Sequence, residues 1–234
     1  MVYGSVIKIL GNLLLVEAAL MIPSLLVSIY YDGSDKMAFI ISIIITSLVG
    51  LIMSKSFRFS KSIKAREGLT IVAFGWILAS FFGSLPFIFS GSILSWVDAF
   101  FETVSGFTTT GATIIDNVEV IPKGVLFWRS FTHWIGGMGI LVFTVAILPT
   151  LGVGGFQIFK VESPGPQPDR IAPRIKDTAK ILYTTYFVIT ILQIVLLLVG
   201  KMPFFDTIVH TFGTVGTGGF SINNASVGAY NSTY

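Results

Sequence analysis

Five apolar runs, each about long enough to cross a lipid bilayer, constrain this chain more than any other feature. They lie at roughly 9–30, 37–53, 69–90, 124–148 and 179–200, and a helix needs on the order of 20 apolar residues to span the hydrocarbon core. Only 12% of the residues are charged and 53% are hydrophobic, whereas soluble domains carry about 25% charged residues. We therefore predict an all-α integral membrane protein, with the lipid bilayer as its first partner.

The basic residues predict how these spans are oriented. The loop after the second run and the loop at 149–180 hold most of them: Lys55, Arg58, Lys61, Lys64 and Arg66 in the first, and Lys160, Arg170, Arg174, Lys176 and Lys180 in the second. By the positive-inside rule both loops, and the N-terminus with Lys8, are cytoplasmic. The segments at 91–123 and 201–234 are then external. Because topology accounts for the net charge of +3, we expect no nucleic-acid partner.

The parts of the chain repeat in order after the first two spans. We expect two leading transmembrane helices with a basic cytoplasmic loop (1–68), then a complete unit of span, short re-entrant helix, loop and returning span (69–148). A cytoplasmic linker (149–178) and a second unit (179–234) follow. The short segments at 95–105 and 204–212 each carry Asp and then Thr five residues later, and an alignment of Gly111 with Gly218 needs one deletion. Such repeats are typical of transport proteins.

The second unit ends before a returning span, because the chain stops at Tyr234. A pore built from such units needs four of them around an axis. We therefore expect the missing parts to come from the rest of a longer protein or from a second chain.

A short Thr/Gly run follows each short segment, at 108–113 and at 214–219. The second run is one residue away from T-V-G-Y-G, the loop whose backbone carbonyls replace the water around potassium in potassium channels. Glycine permits the positive φ that lets successive carbonyls point one way. The alternative is an ordinary Gly/Thr-rich external turn. We predict a potassium-binding filter formed by Thr108, Thr109, Thr110, Gly111, Val215, Gly216, Thr217 and Gly218.

The sequence also supports predictions for several ionisable residues and glycines in or near the apolar runs. Arg129 is expected to pair with Glu102, and His133 and His210 to be hydrogen-bonded interior histidines. Gly136, Gly137 and Gly139 predict close helix packing or a hinge. Asp98 and Asp206 are expected to cap the short helices, with attraction of cations at the outer mouth as the alternative. Glu17 is expected to face a partner helix or subunit.

The sequence also argues against other classes of function. There are no cysteines, which excludes disulfides and thiolate metal sites. No phosphate-binding loop, nucleophile–base pair or paired acids are present, so we expect no enzyme, no covalent cofactor and no metal other than potassium as substrate. A receptor or scaffold and a non-conducting fragment or assembly partner remain as alternatives to a transporter subunit.

Five stretches of the chain form a set of motifs in a fixed order: F-F-E-T-V-S-G-F-T-T-T-G-A-T (100–113), W-R-S-F-T-H-W-I-G-G-M-G-I (128–140), E-S-P-G-P (162–166), P-R-I-K-D-T-A-K (173–180) and T-F-G-T-V-G-T-G-G-F-S (211–221). Together they resemble the Trk/Ktr/HKT superfamily of potassium and sodium transporters, most closely its bacterial TrkH/TrkG branch. The resemblance implies potassium uptake across the inner (cytoplasmic) membrane by a protein with four pore units, of which this chain holds the N-terminal half.

The resemblance also implies partners and selectivity. Members of the family pair as homodimers and bind a cytosolic nucleotide-binding ring (TrkA-like), for which Arg170, Arg174 and Lys176 would form part of the docking surface. The family's filter glycines fall on Gly111 and Gly218. In plant relatives a serine at the first of these accompanies sodium transport, so Gly111 favours potassium, with sodium or mixed transport as the alternative.

Overall fold

The computed structural model describes residues 3–56, 65–147 and 175–230, and its regular structure in these ranges is entirely helical. Short 3₁₀ turns lie at Val118–Val120 and Ser226–Tyr230. The α-helices are α1 Tyr3–Tyr30, α2 Lys36–Lys55, α3 Ala65–Gly83, α4 Leu85–Phe89, α5 Trp96–Phe107, α6 Lys123–Ile147, α7 Ile175–Val199 and α8 Phe204–Val215. The predicted all-α class is confirmed.

Four segments in the described ranges are long and apolar enough to cross a membrane: Tyr3–Tyr30, Lys36–Lys55, Glu67–Phe89 and Lys180–Val199. They coincide with four of the five expected runs, and helix α6 covers the remaining one. Most of the expected linker, 149–174, lies outside the described residues. The division of the chain into units and the docking surface predicted for the linker therefore stay predictions.

The run expected as one span at 69–90 is broken into α3 and α4. The break falls at Ser84, two residues before Pro86, which has no N–H to donate to the preceding turn of a helix. At this point the indole N–H of Trp128 donates to the Gly83 carbonyl, 2.9 Å away. A side chain of α6 thus satisfies a backbone group at the end of α3.

The two leading helices pack closely through small residues. A Cβ on Gly11 would lie 2.6 Å from Ser54 N and 2.8 Å from Gly50 O, so only glycine allows α1 and α2 to approach this closely. Glu17 lies on the buried side of α1, 4% exposed, with no hydrogen-bond partner among the described residues. A Cβ on Gly83 would be 3.0 Å from Glu17 Oε1. Glu17 therefore faces a neighbouring helix of the same chain.

The turn between α1 and α2 holds the start of α6. Asp35 is fully buried and accepts hydrogen bonds from the Ser28 hydroxyl and from Val125 N, at 2.9 Å for the latter. Val125 lies in the first turn of α6, where a negative charge also meets the positive end of the helix dipole. Beside it, Lys123 Nζ lies 3.9 Å from the centre of the Tyr31 ring. The leading hairpin is thus fixed to the helix that carries Arg129 and His133.

We expect Asp35→Asn to lower the free energy of unfolding by about 1–3 kcal/mol. The amide keeps the shape but has one acceptor oxygen, and it turns an NH₂ group toward a donor. Asp32→Asn is the matched control, since Asp32 is 93% exposed and pairs only with Lys36 in the described structure. The thermal unfolding midpoint in detergent measures both, and equal shifts would contradict the capping role of Asp35.

Candidate functional site

Helices α5 and α8 each have 12 residues, about 18 Å, which is too short to cross a bilayer. The second residue after each helix is a threonine with positive φ, 55° at Thr109 and 62° at Thr217. L-residues avoid this region at a cost of roughly 1–2 kcal/mol, and β-branched residues avoid it most. Backbone strain of this kind is typical of functional sites. Here it occurs twice, at matching places.

The two helix ends share one hydrogen-bond pattern. The N–H groups of Thr109 and Thr217 donate three residues back, at 3.1 and 3.0 Å, and the next amide in each loop donates five residues back, at 3.0 and 3.1 Å. Positive φ recurs at Gly111 (76°) and Gly219 (80°). All these pairs are 108 residues apart, so the two units match without a gap.

The alignment of Gly111 with Gly218 is therefore wrong in structural terms, since Gly111 corresponds to Gly219. The run Gly216–Gly219 offers several glycines, and sequence identity does not show which of them has positive φ. The helices also run further than expected, so that Val215 is the last residue of α8 rather than part of the loop. The other seven predicted filter residues lie in the two loops.

The two loops touch at their glycines. A Cβ on Gly111 would overlap the Gly218 carbonyl oxygen and lie 3.0 Å from its carbon. Gly111 is therefore required twice, by its positive φ and by the neighbouring backbone. Thr108, Thr110 and Thr217 are exposed beside this contact. The structure thus brings the predicted residues of the two units together, with part of the loops open to their surroundings.

Helix α6 packs against the ends of both short helices through glycine. A Cβ on Gly136 would lie 2.7 Å from the carbonyl carbon of Phe107, the last residue of α5, and still closer to its oxygen. A Cβ on Gly137 would be 3.3 Å from Gly216 Cα, next to the end of α8. Gly139 meets only the Trp76 ring, at 3.4 Å. The predicted close packing is confirmed: Gly136 and Gly137 meet the last residue of α5 and the first residue after α8.

These contacts predict opposite responses to the same small change in α6. Gly136→Ala should cost about 1–3 kcal/mol of unfolding free energy, since its methyl group meets backbone that cannot move aside without shifting the first loop. Gly139→Ala should be neutral or slightly stabilising, because its methyl group makes an ordinary contact and alanine favours the helix. Thermal unfolding of both variants in detergent tests this, and a Gly136→Ala variant as stable as the parent would contradict the contact.

A buried ion pair connects the segments that follow the two loops. Arg129 Nε donates to Glu102 Oε1 at 2.7 Å, and both side chains are almost fully buried. The predicted pairing is confirmed. The Glu102 carboxylate also accepts from Thr113 Oγ1 at 2.9 Å and from Ile114 N at 3.1 Å, while Arg129 Nη1 donates to Ser221 O at 3.0 Å. One pair therefore holds the residues that follow each loop.

Phe220 is a part of the site that the sequence analysis missed. It is 3% exposed, its ring lies 3.5 Å from the Arg129 guanidinium carbon, and it stacks on His133 with centroids 3.9 Å apart. An aromatic residue directly after the second Thr/Gly run was the available signal. Its partners come from α6, about 90 residues earlier in the chain, and local patterns do not reveal them.

We expect Glu102→Gln to destabilise the protein by about 3–5 kcal/mol, because it leaves the buried Arg129 charge uncompensated. Arg129→Met should cost a similar amount for the converse reason. In the double variant neither charge remains, so its cost should fall well below the sum of the two single costs. Unfolding midpoints of the three variants measure this coupling. Additive costs would contradict a role for the pair as a unit.

The two histidines are hydrogen-bonded interior groups, as predicted. His133 Nδ1 donates to Gly106 O at 2.8 Å. The Tyr230 hydroxyl donates to Asp206 Oδ2 at 2.8 Å and therefore accepts from His210 Nε2 at 3.1 Å. Burial first, and then the Asp206 carboxylate, raise the pKa of Tyr230.

The predicted capping by Asp98 and Asp206 is wrong. The N-cap of α5 is Ser95, whose hydroxyl accepts from Asp98 N at 3.3 Å. Helix α8 begins after Pro203 with no side-chain cap, and Asp206 instead binds the Tyr230 hydroxyl. The two aspartates lie in the first turn of their helices, after the capping position. Their spacing in the sequence therefore did not identify the caps.

A polar clasp joins the segment at 117–119 to the segment that follows the second loop. Asn224 Oδ1 accepts from Val118 N at 3.0 Å, Asn224 N donates to Glu119 Oε1 at 3.0 Å, and Asn224 Nδ2 donates to Asn117 Oδ1 at 2.9 Å. Three bonds to a single asparagine connect the units outside the site. The segments that follow the two loops are therefore joined by this clasp as well as by the ion pair.

Comparison with known proteins gives a consistent picture. The family model of the TrkH cation transport proteins matches residues 35–234. The potassium uptake protein TrkH of Salmonella typhimurium is 43% identical over 234 residues, covering 98% of this chain and 48% of that protein. TrkH of Halomonas elongata is 40% identical over 230 residues, covering 97% of the chain and 48% of the relative.

A solved structure agrees with these relatives. The crystal structure of the potassium transporter TrkH from Vibrio parahaemolyticus superposes with a TM-score of 0.86 at 37% identity. The match covers 99% of this chain and 47% of that one. The chain thus spans about half the length of the relatives it matches.

Proposed function

Since the chain belongs to the TrkH family of cation transport proteins, we propose that it takes potassium across the cytoplasmic membrane as the N-terminal half of a Trk-type transporter. The observation that carries the proposal is the contact between Gly111 and Gly218, which brings together two strained loops from two units. Relatives named for potassium uptake support the choice of ion.

The chemistry of the loops suits a cation that has lost its water. Backbone carbonyls at 108–112 and 216–219 supply oxygen ligands without a fixed charge. Helices α5 and α8 both end at these loops, so the negative ends of their dipoles favour a cation there. Irregular backbone at membrane depth is stable only where protein buries it or water lines it. Here the loops are held in place by packing against α6, by the buried ion pair and by the polar clasp.

The rest of the transporter follows from the same proposal. Two further units would complete the ring of loops, and two copies would pair as a homodimer. A cytosolic nucleotide-binding ring would dock on the cytoplasmic side, where the basic loops lie. The N-terminus is cytoplasmic in this arrangement, which the distribution of Lys and Arg supports. Potassium is the substrate, and no covalent cofactor takes part.

We expect Gly111→Ser to shift transport toward sodium. The side chain would strain the backbone at φ 76° and displace the Gly218 carbonyl. The preference for potassium over sodium should fall by about tenfold or more, since roughly 1.4 kcal/mol in relative binding suffices for that. Uptake of potassium and sodium, measured in a bacterial host lacking its own potassium uptake systems, gives the ratio. The protein tested is the chain extended by the second half of a TrkH-family transporter.

The matched control is Gly91→Ser. Gly91 also has positive φ, 72°, but a Cβ there meets nothing within 4 Å and lies outside the loops. It carries the same backbone strain and should keep the parent's ion preference. An unchanged ratio in Gly111→Ser would contradict the filter assignment. The parent protein should also restore growth at low external potassium. No rescue would contradict potassium uptake, and rescue with sodium alone would identify a sodium transporter.

A further inference from the structure

The imidazole of His133 fills the space between the end of the first short helix and the second loop. The residue is fully buried. Its Nδ1 donates to the Gly106 carbonyl at 2.8 Å, one residue before α5 ends. On the other side the ring lies against Gly218, where an added Cβ would be 2.6 Å from the ring carbon Cε1 and closer still to Nε2. One ring therefore touches the backbone of both units.

The contact continues from Gly218 back to the first unit. The Gly218 carbonyl oxygen lies against Gly111, so a path of contacts runs from Gly106 through His133 and Gly218 to Gly111. Three of these four members touch through backbone atoms, which have fixed dimensions. The imidazole is the side chain in the path. Its size is thus the variable that sets how far apart the two loops stand.

The ring's environment favours a role in spacing rather than in hydrogen bonding. Phe220 stacks on the imidazole with centroids 3.9 Å apart and planes inclined by 14°, which fixes the ring's plane. The Gly216 site lies against the His133 carbonyl, with an added Cβ 2.6 Å from its oxygen. Nδ1 donates its hydrogen to a carbonyl, so in the neutral imidazole Nε2 carries no hydrogen to donate to Gly218. The side of the ring that meets Gly218 thus acts by its shape.

We propose that His133 is a positioning residue that sets the separation of the two loops and thereby the ion preference of the site. The inference rests on the proposed function, because ion preference has a meaning only if the loops bind the transported ion. His133 itself does not contact the ion. It acts on Gly218, and through Gly218 on the contact with Gly111.

Two substitutions separate spacing from hydrogen bonding. His133→Asn keeps an amide donor where Nδ1 binds Gly106 but removes the atoms against Gly218. His133→Phe keeps a ring against Gly218 and Phe220 but removes the donor. If spacing decides, His133→Asn lowers the potassium-to-sodium transport ratio about tenfold, and His133→Phe stays within about twofold of the parent. His210→Asn is the control, since His210 bonds Tyr230 outside the loops, and it should leave the ratio unchanged.

The measurement is the ratio of potassium to sodium uptake in the extended protein, with the folded amount of each variant determined by size-exclusion chromatography. A folded His133→Asn variant with the parent ratio overturns the inference while leaving potassium transport intact. If His133→Asn does not fold, the Phe variant decides, and a tenfold loss there also overturns it. If the parent takes up no potassium, the proposed function fails together with the inference, whichever variant is tested.

Discussion

The buried ion pair between Glu102 and Arg129 is the interaction on which the arrangement of the site depends. Two opposite charges with almost no exposure are stable in such a place only when each is paired and hydrogen-bonded. Here the remaining bonds go to backbone and hydroxyl groups that follow the two loops. The need to satisfy the charges therefore fixes where both loops leave the site. An apolar pair of the same volume would fill the space but would not specify that position.

The contacts between the two loops and α6 are made largely by backbone atoms. Gly111 meets a carbonyl, and Gly136 and Gly216 lie where any Cβ would meet main-chain atoms. Backbone contacts leave no room for adjustment by rotamers, so small errors in helix position would pass directly to the loops. The strain at Thr109 and Thr217 is retained because packing on several sides opposes its relief. The two loops match in backbone conformation and share one support. Helix α6, with His133, packs against the end of the first short helix and against the second loop.

Local rules were sufficient for the fold class and for the position of the two irregular Thr/Gly loops. Apolar runs of spanning length leave no soluble alternative, and Thr/Gly runs after half-length helices indicate where the backbone must become irregular. The Glu102–Arg129 pair was also predictable, since a buried charge at membrane depth requires a partner and few are available. The same rules ended both short helices too early and chose the wrong caps, since α5 is capped by Ser95 and α8 begins after Pro203 without a side-chain cap.

The sequence by itself determined that this chain is a helical membrane protein with two Thr/Gly loops that follow half-length helices, because hydrophobic length and local backbone preference are properties of short segments. Tertiary structure decided which atoms those loops meet. Gly219 rather than Gly218 matches Gly111, Asp35 holds a helix that begins nearly ninety residues later, and His133 lies between the units. The Gly219 match depends on which of several adjacent glycines has positive φ, and the contacts of Asp35 and His133 depend on distances between segments far apart in the chain. Such distances are set by the packing of whole helices, and no local pattern encodes them.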